Sequence, residues 1–348
     1  MNPEAIIETD ALIVGAGPVG LFQVFELGLL EMQAQVVDSL PQPGGQCVEL
    51  YADKPIFDIP GLPRCTGREL TDRLLQQAAP FNAGMHLDQV VTRLERQPDG
   101  RFRCSTSSGT RFLSKVIIIA AGVGAFQPRG LRLAGLERFE GTQVLHRLRD
   151  ASAWRGRQVI VTGDGDSALD AVARLAEEGA RVTLLHRRDE FRATPERIAR
   201  LRELQRAGRM TLWVGQPTAV ESTDGRLTGL QVLGSDGQTH SAGLDALFVL
   251  LGLSPRLGPI VEWGLALERK QLVVDTASFE TPTHGIFAVG DIVTYPGKKK
   301  LILCGFHEAT LAAYGALRHV RPDDPGLLQY TTTSPRLHEL LGLNPPAP

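Results

Sequence analysis

The chain has 348 residues, which is longer than one ordinary hydrophobic core requires and predicts two domains. Hydrophobic residues make up 43% and charged residues 22% of the chain, proportions typical of a globular α/β protein rather than a disordered or fibrous one. The formal net charge of −2 gives no indication of nucleic-acid or anionic-membrane binding. The sequence shows no signal peptide and no apolar run of about 20 residues, so we expect a cytoplasmic protein without a membrane span.

The first predicted element is the apolar strand Ala11–Val14, which runs directly into a glycine-rich turn. That turn reads Gly15-Ala16-Gly17-Pro18-Val19-Gly20, and the strand after the following helix ends at Asp38. Such a turn at a helix N-terminus holds a pyrophosphate on backbone N–H groups and the helix dipole. An acid at the tip of the next strand accepts hydrogen bonds from ribose hydroxyls. The unit therefore predicts a site for FAD or NAD(H).

The following segment predicts the rest of a first domain. We expect a long loop over Pro41–Pro63, which is rich in glycine and proline, and then a helix over Gly67–Ala79. Short strands are expected over Gln89–Glu95 and Arg101–Ser105. The apolar run Val116–Gly122 predicts a buried strand, and its final glycine is where we expect the chain to leave this domain.

The strand–turn–helix pattern is repeated later in the chain with a different ending. The strand Val159–Thr162 leads into Gly163-Asp164-Gly165-Asp166-Ser167-Ala168, and the next strand, Arg181–His186, continues into Arg187-Arg188. The two strand endings, at Asp38 and His186, lie 23 positions beyond the first glycine of their copies. An alanine is accepted as the last turn residue, which only has to be small for helix–strand packing. Arginines at this strand end favour a 2′-phosphate, so the second copy predicts a site for NADP(H).

The remaining elements predict that one domain is inserted into the other. A helix is expected to begin with Thr194 as N-cap and Pro195 as its first residue. The strands expected after it are Leu212–Ser222, Leu227–Leu233, Thr239–Ser241, Ala246–Gly252, Leu272–Asp275 and Gly285–Asp291. A further helix is expected over Glu308–Arg318. The predicted first domain is residues 1–122 and 252–348, and the predicted second domain is residues 123–251.

The four cysteines, Cys47, Cys65, Cys104 and Cys304, are separated by 18, 39 and 200 positions. Without a C-x-x-C pair, the chain offers neither a local metal knuckle nor a thioredoxin-type redox motif. We therefore expect each cysteine to behave as a small buried hydrophobic residue.

Further motifs, taken in this order with the two glycine-rich turns, indicate a family. They are Gly44-Gly45-Gln46, Leu50–Lys54, Gly124–Arg129, His186–Arg192, Leu257–Ile260, Trp263–Leu265, Gly290–Ile292 and Tyr295–Lys298. On these residues, nearly the whole chain resembles the flavoprotein disulfide reductase superfamily, and within it the ferredoxin–NADP⁺ reductases of the thioredoxin reductase-like type. One departure is His307, where the subfamily pattern tends to place glycine.

The resemblance implies an α/β fold of two Rossmann-like, three-layer domains, with the NADP domain inserted into the FAD domain. The residues that it implies for FAD binding are Gly15, Gly17, Pro18, Gly20, Asp38, Gly45, Gln46, Tyr51, Val90, Phe126, Asp291 and Thr332. Tyr51 matches an aromatic residue that stacks on one face of the flavin, the alternative being an ordinary loop aromatic. Tyr330 matches a residue that covers the opposite face, the alternative being a tail tyrosine anchored on the surface.

The residues implied for NADP(H) binding are Gly163, Gly165, Asp166, Ser167, His186, Arg187, Arg188 and Arg192. The alternative for the arginines is a solvated basic face. Further basic residues are candidates for steering an acidic ferredoxin or flavodoxin, or simply keep the surface hydrated. They are Arg197, Arg200, Arg202, Arg206, Arg209 and Lys298-Lys299-Lys300.

The segment before the second glycine turn separates subgroups of the superfamily. Thioredoxin reductases carry a redox C-x-x-C there, whereas this chain has Gln143–Asp150 without cysteine, in which His146 is expected to be a helix-start or linker residue. The resemblance thus implies electron transfer between NADP(H) and ferredoxin or flavodoxin through FAD, in a homodimer and without a side-chain acid or base. A helix N-terminus after Phe306 would face the flavin. The alternatives are an NADPH-dependent reductase of a small disulfide or quinone, and a flavin-binding redox sensor or assembly subunit.

Overall fold

The structure is a computed structural model that describes residues 5–324 and 330–343. The chain divides into two compact units. The first unit is formed by the chain up to Ala125 and again from Pro255 onwards, and the second is Phe126–Ser254. These boundaries lie three residues beyond each of the two predicted from the sequence. Among the described residues, no helix is long and apolar enough to cross a membrane.

The elements up to the point where the chain enters the second unit are mostly those of a parallel α/β unit. They are β1 (Ile6–Val14), α1 (Pro18–Leu29), β2 (Ala34–Val37), α2 (Gln46–Glu49), β3 (Pro55–Ile56), β4 (Cys65–Thr66), α3 (Gly67–Ala78), β5 (Gly84–His86), β6 (Val91–Arg96), β7 (Phe102–Thr106), β8 (Arg111–Ile119) and β9 (Ala125–Pro128).

The second unit follows with two helices and seven strands within its described residues. They are β10 (Val144–Leu145), β11 (Gln158–Thr162), α4 (Asp166–Glu177), β12 (Arg181–His186), α5 (Pro195–Arg206), β13 (Met210–Thr223), β14 (Arg226–Gly234), β15 (Thr239–Gly243) and β16 (Ala246–Val249).

The last segment returns to the first unit. Its elements are β17 (Leu253–Arg256), β18 (Leu267–Glu268), β19 (Gln271–Val273), β20 (Ile286–Ala288), β21 (Val293–Thr294), α6 (Ile302–Val320) and α7 (Pro335–Leu340), with short 3₁₀ turns over Gly258–Glu262, Gly290–Ile292 and Thr331–Thr333.

The sheet of the first unit aligns the ends of its parallel strands. Its order is β5-β2-β1-β8-β7-β6, and β20 joins it beside β8. In register, Val14 lies opposite both Val37 and Ile119, and Ala288 lies opposite Ile119. The carboxyl ends of β1, β2, β8 and β20 therefore meet at one edge, the place where open α/β sheets bind ligands. Fully buried apolar residues such as Leu12 and Ile118 hold these strands in the core.

The sheet of the second unit has the order β10-β16-β11-β12-β13-β14-β15. Its parallel part places Thr162 opposite Leu185 and Val249, so the ends of β11, β12 and β16 are also aligned. The hairpin strands β13 to β15 extend the sheet antiparallel. The predicted fold class, with two Rossmann-like α/β units and the second inserted into the first, is confirmed.

Two predicted segments are wrong. Helix α6 begins at Ile302, six residues before the predicted start at Glu308, so its N-terminus is not the one expected after Phe306. Gly305 is buried in the extended part of this helix, and a Cβ there would collide with the Val19 side chain. Only a glycine therefore allows the helix to pass this close to Val19. The predicted loop Pro41–Pro63 contains α2 and β3, since the residues that precede α2 turn the chain at positive φ.

Candidate functional sites

The first glycine-rich turn has one glycine that faces open space. At Gly15, where φ is +116°, a Cβ would collide with the carbonyl oxygen of Ala120, and at Gly20 a Cβ would collide with that of Gly15. At Gly17 a Cβ would meet nothing within 4 Å. Two glycines are thus required by the protein's own packing, while the other leaves room above the start of α1. Pro18 occupies the first helical position, where its missing N–H removes no helix hydrogen bond.

Asp38 connects the end of β2 to this turn. Its Oδ2 accepts a hydrogen bond from the N–H of Ala16 at 2.5 Å, and its Oδ1 accepts one from the N–H of Leu40 at 2.8 Å. Burial raises the pKa of the Asp38 carboxyl above its ordinary value, although both N–H donors oppose that shift. A carboxylate has about four acceptor positions. Each oxygen therefore retains capacity for a ribose hydroxyl.

The segment before α2 folds onto the same turn. The N–H of Gly44 donates to the carbonyl of Ala16 at 2.8 Å, and a Cβ on Gly45 would lie 3.0 Å from the Cα of Gly17. Gln46 begins α2, and its amide nitrogen lies 3.4 Å from where a Cβ of Gly122 would stand. The structure therefore places Gly45 against the first glycine-rich turn and the Gln46 side chain beside Gly122, which follows β8.

Asp291 reaches the same edge of the sheet after β20. It lies in the 3₁₀ turn Gly290–Ile292, and its carbonyl accepts a hydrogen bond from the Gln271 side chain at 3.2 Å. Gly290 has φ of +82°, and a Cβ on it would lie 3.5 Å from the Val19 side chain. Asp291 is thus adjacent in sequence to a residue that packs against the first glycine-rich turn.

A buried ion pair, which the sequence reasoning missed, fixes Gly290. Glu308 accepts hydrogen bonds from the N–H of Gly290 at 2.6 Å and the hydroxyl of Tyr295 at 2.8 Å, and it pairs with the ammonium of Lys298. The side chains of Lys298 and Glu308 are 7% and 0% exposed. Burial, followed by the bond to Glu308, raises the pKa of the Tyr295 hydroxyl. The suggestion that Lys298 steers a carrier is therefore wrong, because its charge is buried and paired.

Three further residues predicted to bind FAD have different surroundings. The hydroxyl of Tyr51, at the end of α2, lies 3.5 Å from the Cys47 sulfur, and burial raises the pKa of this phenol. The N–H of Val90 donates to the side-chain hydroxyl of Ser107 at 3.0 Å, and the carbonyl of Val90 accepts from the N–H of Ser107 at 2.8 Å. The side chain of Val90 and the second lone pair of its carbonyl are therefore the parts left for a ligand contact. Phe126 lies in β9, and its side chain falls outside the described part of the structure.

The second glycine-rich turn repeats the geometry of the first. At Gly163, where φ is +148°, a Cβ would collide with the carbonyl of Leu250, and the Cβ of Ala168 would lie 2.8 Å from it. At Gly165 a Cβ would meet nothing within 4 Å, and the residue's backbone is extended with φ of −97°. Ser167 is exposed in the first turn of α4, next to this open position.

Basic side chains lie beyond the neighbouring strand β12. Arg192 pairs with the turn through its backbone, donating to the carbonyl of Asp164 at 2.7 Å, and its guanidinium lies 3.4 Å from the Asp164 carboxylate. Arg187 and Arg188 follow the end of β12 and are exposed. The ring of His186 contacts the carbonyl of Arg188 at 2.8 Å through Nδ1. The structure thus places Arg192 against the second glycine-rich turn, and Arg187 and Arg188 beyond the end of β12, which is aligned with the end of β11.

Asp166 supports the loop that follows. Its carboxylate accepts a hydrogen bond from the N–H of Thr194 at 2.7 Å and lies 3.8 Å from the guanidinium of Arg197. Helix α5 begins at Pro195 with Thr194 as its N-cap, as predicted, but the Thr194 side chain makes no capping bond.

Other predicted basic and polar residues are engaged within the second unit. Arg200 pairs with Glu177 at 2.7 Å and Arg202 with Asp189 at 2.5 Å, so part of the predicted basic face is neutralised locally. His146 lies just after β10 and contacts the Val249 carbonyl at 3.1 Å and Glu140 at 2.8 Å. It is therefore not a helix-start residue but connects the end of the β10–β16 pair to a neighbouring turn.

The predicted flavin-covering segment near the C-terminus is exposed. Tyr330 is 69% exposed, and Thr332 is exposed in a 3₁₀ turn. Ser334 caps α7 by accepting a hydrogen bond from the N–H of Leu337 at 3.3 Å. Arg336 of α7 pairs with Glu31, which follows α1, at 2.8 Å. Stacking by Tyr330 and contact by Thr332 stay predictions.

All four cysteines belong to the first unit and are free thiols. Cys47, Cys65 and Cys104 are buried, and burial raises the pKa of each of these thiols, to about 12 for Cys104. Cys304 is half-buried in α6. The expectation that each cysteine is a small buried residue therefore holds for three of the four.

The chain is similar to one family model and to many curated proteins. The family described as pyridine nucleotide-disulphide oxidoreductase matches residues 9–313. A ferredoxin–NADP reductase of Albidiferax ferrireducens is 59% identical over 349 residues, covering 99% of this chain and 99% of that protein. A ferredoxin–NADP reductase of Methylibium petroleiphilum is 57% identical, covering 98% of this chain and 94% of that protein.

Solved structures share the fold at lower identity. Thioredoxin reductase of Lactococcus lactis superposes with a TM-score of 0.57 at 25% identity, covering 90% of this chain and 99% of that one. A bacillithiol disulfide reductase of Staphylococcus aureus superposes with a TM-score of 0.61 at 15% identity, covering 90% of this chain and 99% of that one. The second comparison bears on the fold alone.

Proposed function

Because the chain belongs to the pyridine nucleotide-disulphide oxidoreductase family, we propose that it transfers electrons between NADP(H) and ferredoxin or flavodoxin through FAD. The observation that carries this proposal is the pair of glycine-rich turns, each with one glycine open to a ligand and with different side chains at the neighbouring strand end. The names of its relatives, at 57–59% identity over nearly the full length, support the same reaction.

The first unit is the part of the chain suited to FAD. The N–H groups at the start of α1 would hold the pyrophosphate above Gly17, and Asp38 would accept hydrogen bonds from the ribose. Gln46 and Asp291, carried by the segments that pack on the same turn, would contact the flavin end. Tyr51 on one side and Tyr330 on the other are the proposed stacking residues.

The second unit is the part suited to NADP(H). The open position at Gly165 and the N-terminus of α4 would take the pyrophosphate. Arg187, Arg188 and Arg192 would clamp the 2′-phosphate, since guanidinium groups form paired, charge-assisted hydrogen bonds with phosphate. Arg188 pairs with Glu190 and Arg192 pairs with Asp164. On binding, the phosphate would replace these acids as the partner of the arginines.

Bound FAD would supply the chemistry that converts a hydride into two single electrons. The protein's part is to orient both cofactors and to exclude competing reactions, and the proposal assigns no side chain as general acid or base. Thiol relay is not part of the proposed reaction, because the segment before the second glycine turn has no cysteine and the unit Phe126–Ser254 contains none.

The proposal is tested by steady-state kinetics with a panel of electron acceptors. We expect NADPH-dependent cytochrome c reduction to depend on added ferredoxin or flavodoxin, because the carrier takes single electrons from the flavoprotein. Small disulfides and quinones serve as the comparison acceptors. Turnover with a disulfide or quinone that exceeds turnover with every ferredoxin and flavodoxin would assign the alternative reaction. Homodimer formation and a cytoplasmic location stay predictions.

A further inference from the structure

Three side chains that the proposed reaction does not use converge at the opposite end of β20 from Asp291. They are Glu280, His284 and His319, and their ligand atoms all lie within 4.8 Å of one another. Glu280 and His284 belong to the turn that leads into β20, and His319 lies in the last turn of α6. The cluster is thus formed by two elements of the first unit.

The distances from the Glu280 carboxylate to the two imidazoles are close to those between ligands of one metal ion. Nε2 of His319 lies 2.8 Å and Nδ1 of His284 lies 3.4 Å from Oε1 of Glu280. In a tetrahedral zinc site with bonds of about 2.0–2.1 Å, neighbouring ligand atoms lie about 3.3 Å apart. A small rotation of the side chains would admit the ion, and the His284 side chain is 79% exposed and free to make it.

The surroundings hold two of the three groups in place. The N–H of Gly285 donates to Oε1 of Glu280 at 2.8 Å, which orients the carboxylate. The ring of His319 packs edge-on against Phe287, with centroids 5.6 Å apart and an interplanar angle of 80°. Outer hydrogen bonds orient metal ligands, and an apolar neighbour such as Phe287 limits the access of solvent to the site.

We propose that Glu280, His284 and His319 form a binding site for Zn²⁺ or a similar divalent transition metal. Two imidazoles and a carboxylate are ligands that Zn²⁺ takes, and a water molecule would complete four-coordination. A bound ion connects the end of α6 to the turn before β20, so it stabilises the first unit by binding only the folded chain. The same contacts without an ion are an ordinary hydrogen-bonded His–Glu cluster, which is the competing interpretation.

The test is calorimetric titration of metal-free, FAD-loaded protein with ZnCl₂, together with thermal unfolding in the presence and absence of the ion. We expect one saturable site per chain and a higher unfolding temperature with Zn²⁺. Replacing His284 or His319 with Ala should weaken Zn²⁺ binding by about 10- to 100-fold, at least the loss seen when a supporting residue is removed. His284→Ala is the decisive variant, because this exposed side chain is not needed for folding.

Two control variants locate the ion. His240→Ala removes a comparable exposed pair, in which His240 lies 2.9 Å from Asp236, and should leave Zn²⁺ binding unchanged. Cys304→Ser tests the half-buried thiol, and Co²⁺ substitution should give no sulfur-to-cobalt charge-transfer band. The proposal is overturned if the wild type binds no Zn²⁺ saturably, if H284A binds it as tightly as the wild type, or if C304S abolishes binding.

Discussion

The two glycine-rich turns differ most at the residue that follows the neighbouring strand. Asp38 is buried and holds the N–H of Ala16, so this strand end favours neutral ribose hydroxyls and repels an added phosphate. Arg187 and Arg188 are exposed at the equivalent end of β12, where they favour a 2′-phosphate. We propose that these residues give each site its nucleotide preference.

Replacing Arg187 and Arg188 with Ala should reduce the preference for NADPH over NADH. Each lost charge-assisted contact is worth about 1.5–3 kcal/mol, so the ratio of the two kcat/KM values should fall by at least about tenfold. The measurement is steady-state reduction of a flavin-linked dye with each nucleotide. The double variant Arg200→Ala/Arg206→Ala removes the same charge from α5 and should leave the ratio unchanged. If the Arg187/Arg188 variant kept the same NADPH-to-NADH ratio of kcat/KM as the wild type and the control variant, the 2′-phosphate would bind elsewhere.

Glu26 should make stability depend on pH. Burial in α1 raises its pKa from 4.5 to about 7, so the folded chain binds a proton that the unfolded chain releases between these pH values. The folded state is therefore penalised as pH rises, by about 3 kcal/mol once pH exceeds the folded pKa. Glu26→Gln should raise the urea unfolding midpoint at about pH 8.5, with most of the gain absent at pH 5. Equal midpoints at pH 8.5 would contradict this penalty.

The two open glycines are positions where ligand binding can be changed without changing the fold. Gly17 and Gly165 have negative φ and space for a Cβ, so an alanine fits the protein but occupies the expected position of a pyrophosphate. Gly17→Ala should weaken FAD binding while leaving the fold intact. Gly165→Ala should retain FAD and raise the KM for NADPH. Flavin content, circular dichroism and NADPH kinetics check both variants, and each serves as the other's control.

If Gly17→Ala retained full flavin content with an unchanged FAD dissociation constant, the turn at α1 would not hold the pyrophosphate. Loss of FAD from Gly165→Ala would contradict the assignment of the two units in the same way.

The Lys298–Glu308 pair joins α6 to the segment after β20. Breaking a buried pair leaves one uncompensated charge and costs about 3–5 kcal/mol. Glu308→Gln and Lys298→Met should each lower the free energy of unfolding by about this amount, whereas the double variant should lose less than either single one. The check is a double-mutant cycle in urea. Single variants within about 0.5 kcal/mol of the wild type would show that this pair behaves like a surface contact.

Local sequence patterns predicted the strands and glycine-rich turns well, because their signals lie within a few residues. The strand Arg181–His186 was predicted with its observed bounds. The predicted start of α6 was wrong because a glycine such as Gly305, considered alone, suggests a break in a helix. Only its close approach to Val19 explains why a glycine stands inside this helix. The role of Glu308 was missed for a similar reason, since its partners Gly290, Tyr295 and Lys298 come together only in the fold.

None of the four cysteines of the chain lies in a C-x-x-C pair or in the segment before the second glycine-rich turn. Replacing all four cysteines with Ser or Ala should leave NADPH-dependent dye and ferredoxin-linked activity largely intact, because three thiols are buried with raised pKa values. The measurement is turnover per bound FAD in the cysteine-free protein. Lost turnover in a folded, FAD-loaded variant would mean that a thiol takes part in the reaction.

Anaerobic stopped-flow mixing of the FAD-loaded protein with NADPH and then with oxidised ferredoxin tests the proposed electron transfer most directly. We expect rapid bleaching of the flavin absorbance by NADPH, much slower bleaching by NADH, and recovery of the absorbance as ferredoxin is reduced. Flavin that NADPH does not bleach, or that bleaches but does not pass electrons to any ferredoxin or flavodoxin, would contradict the proposed electron transfer.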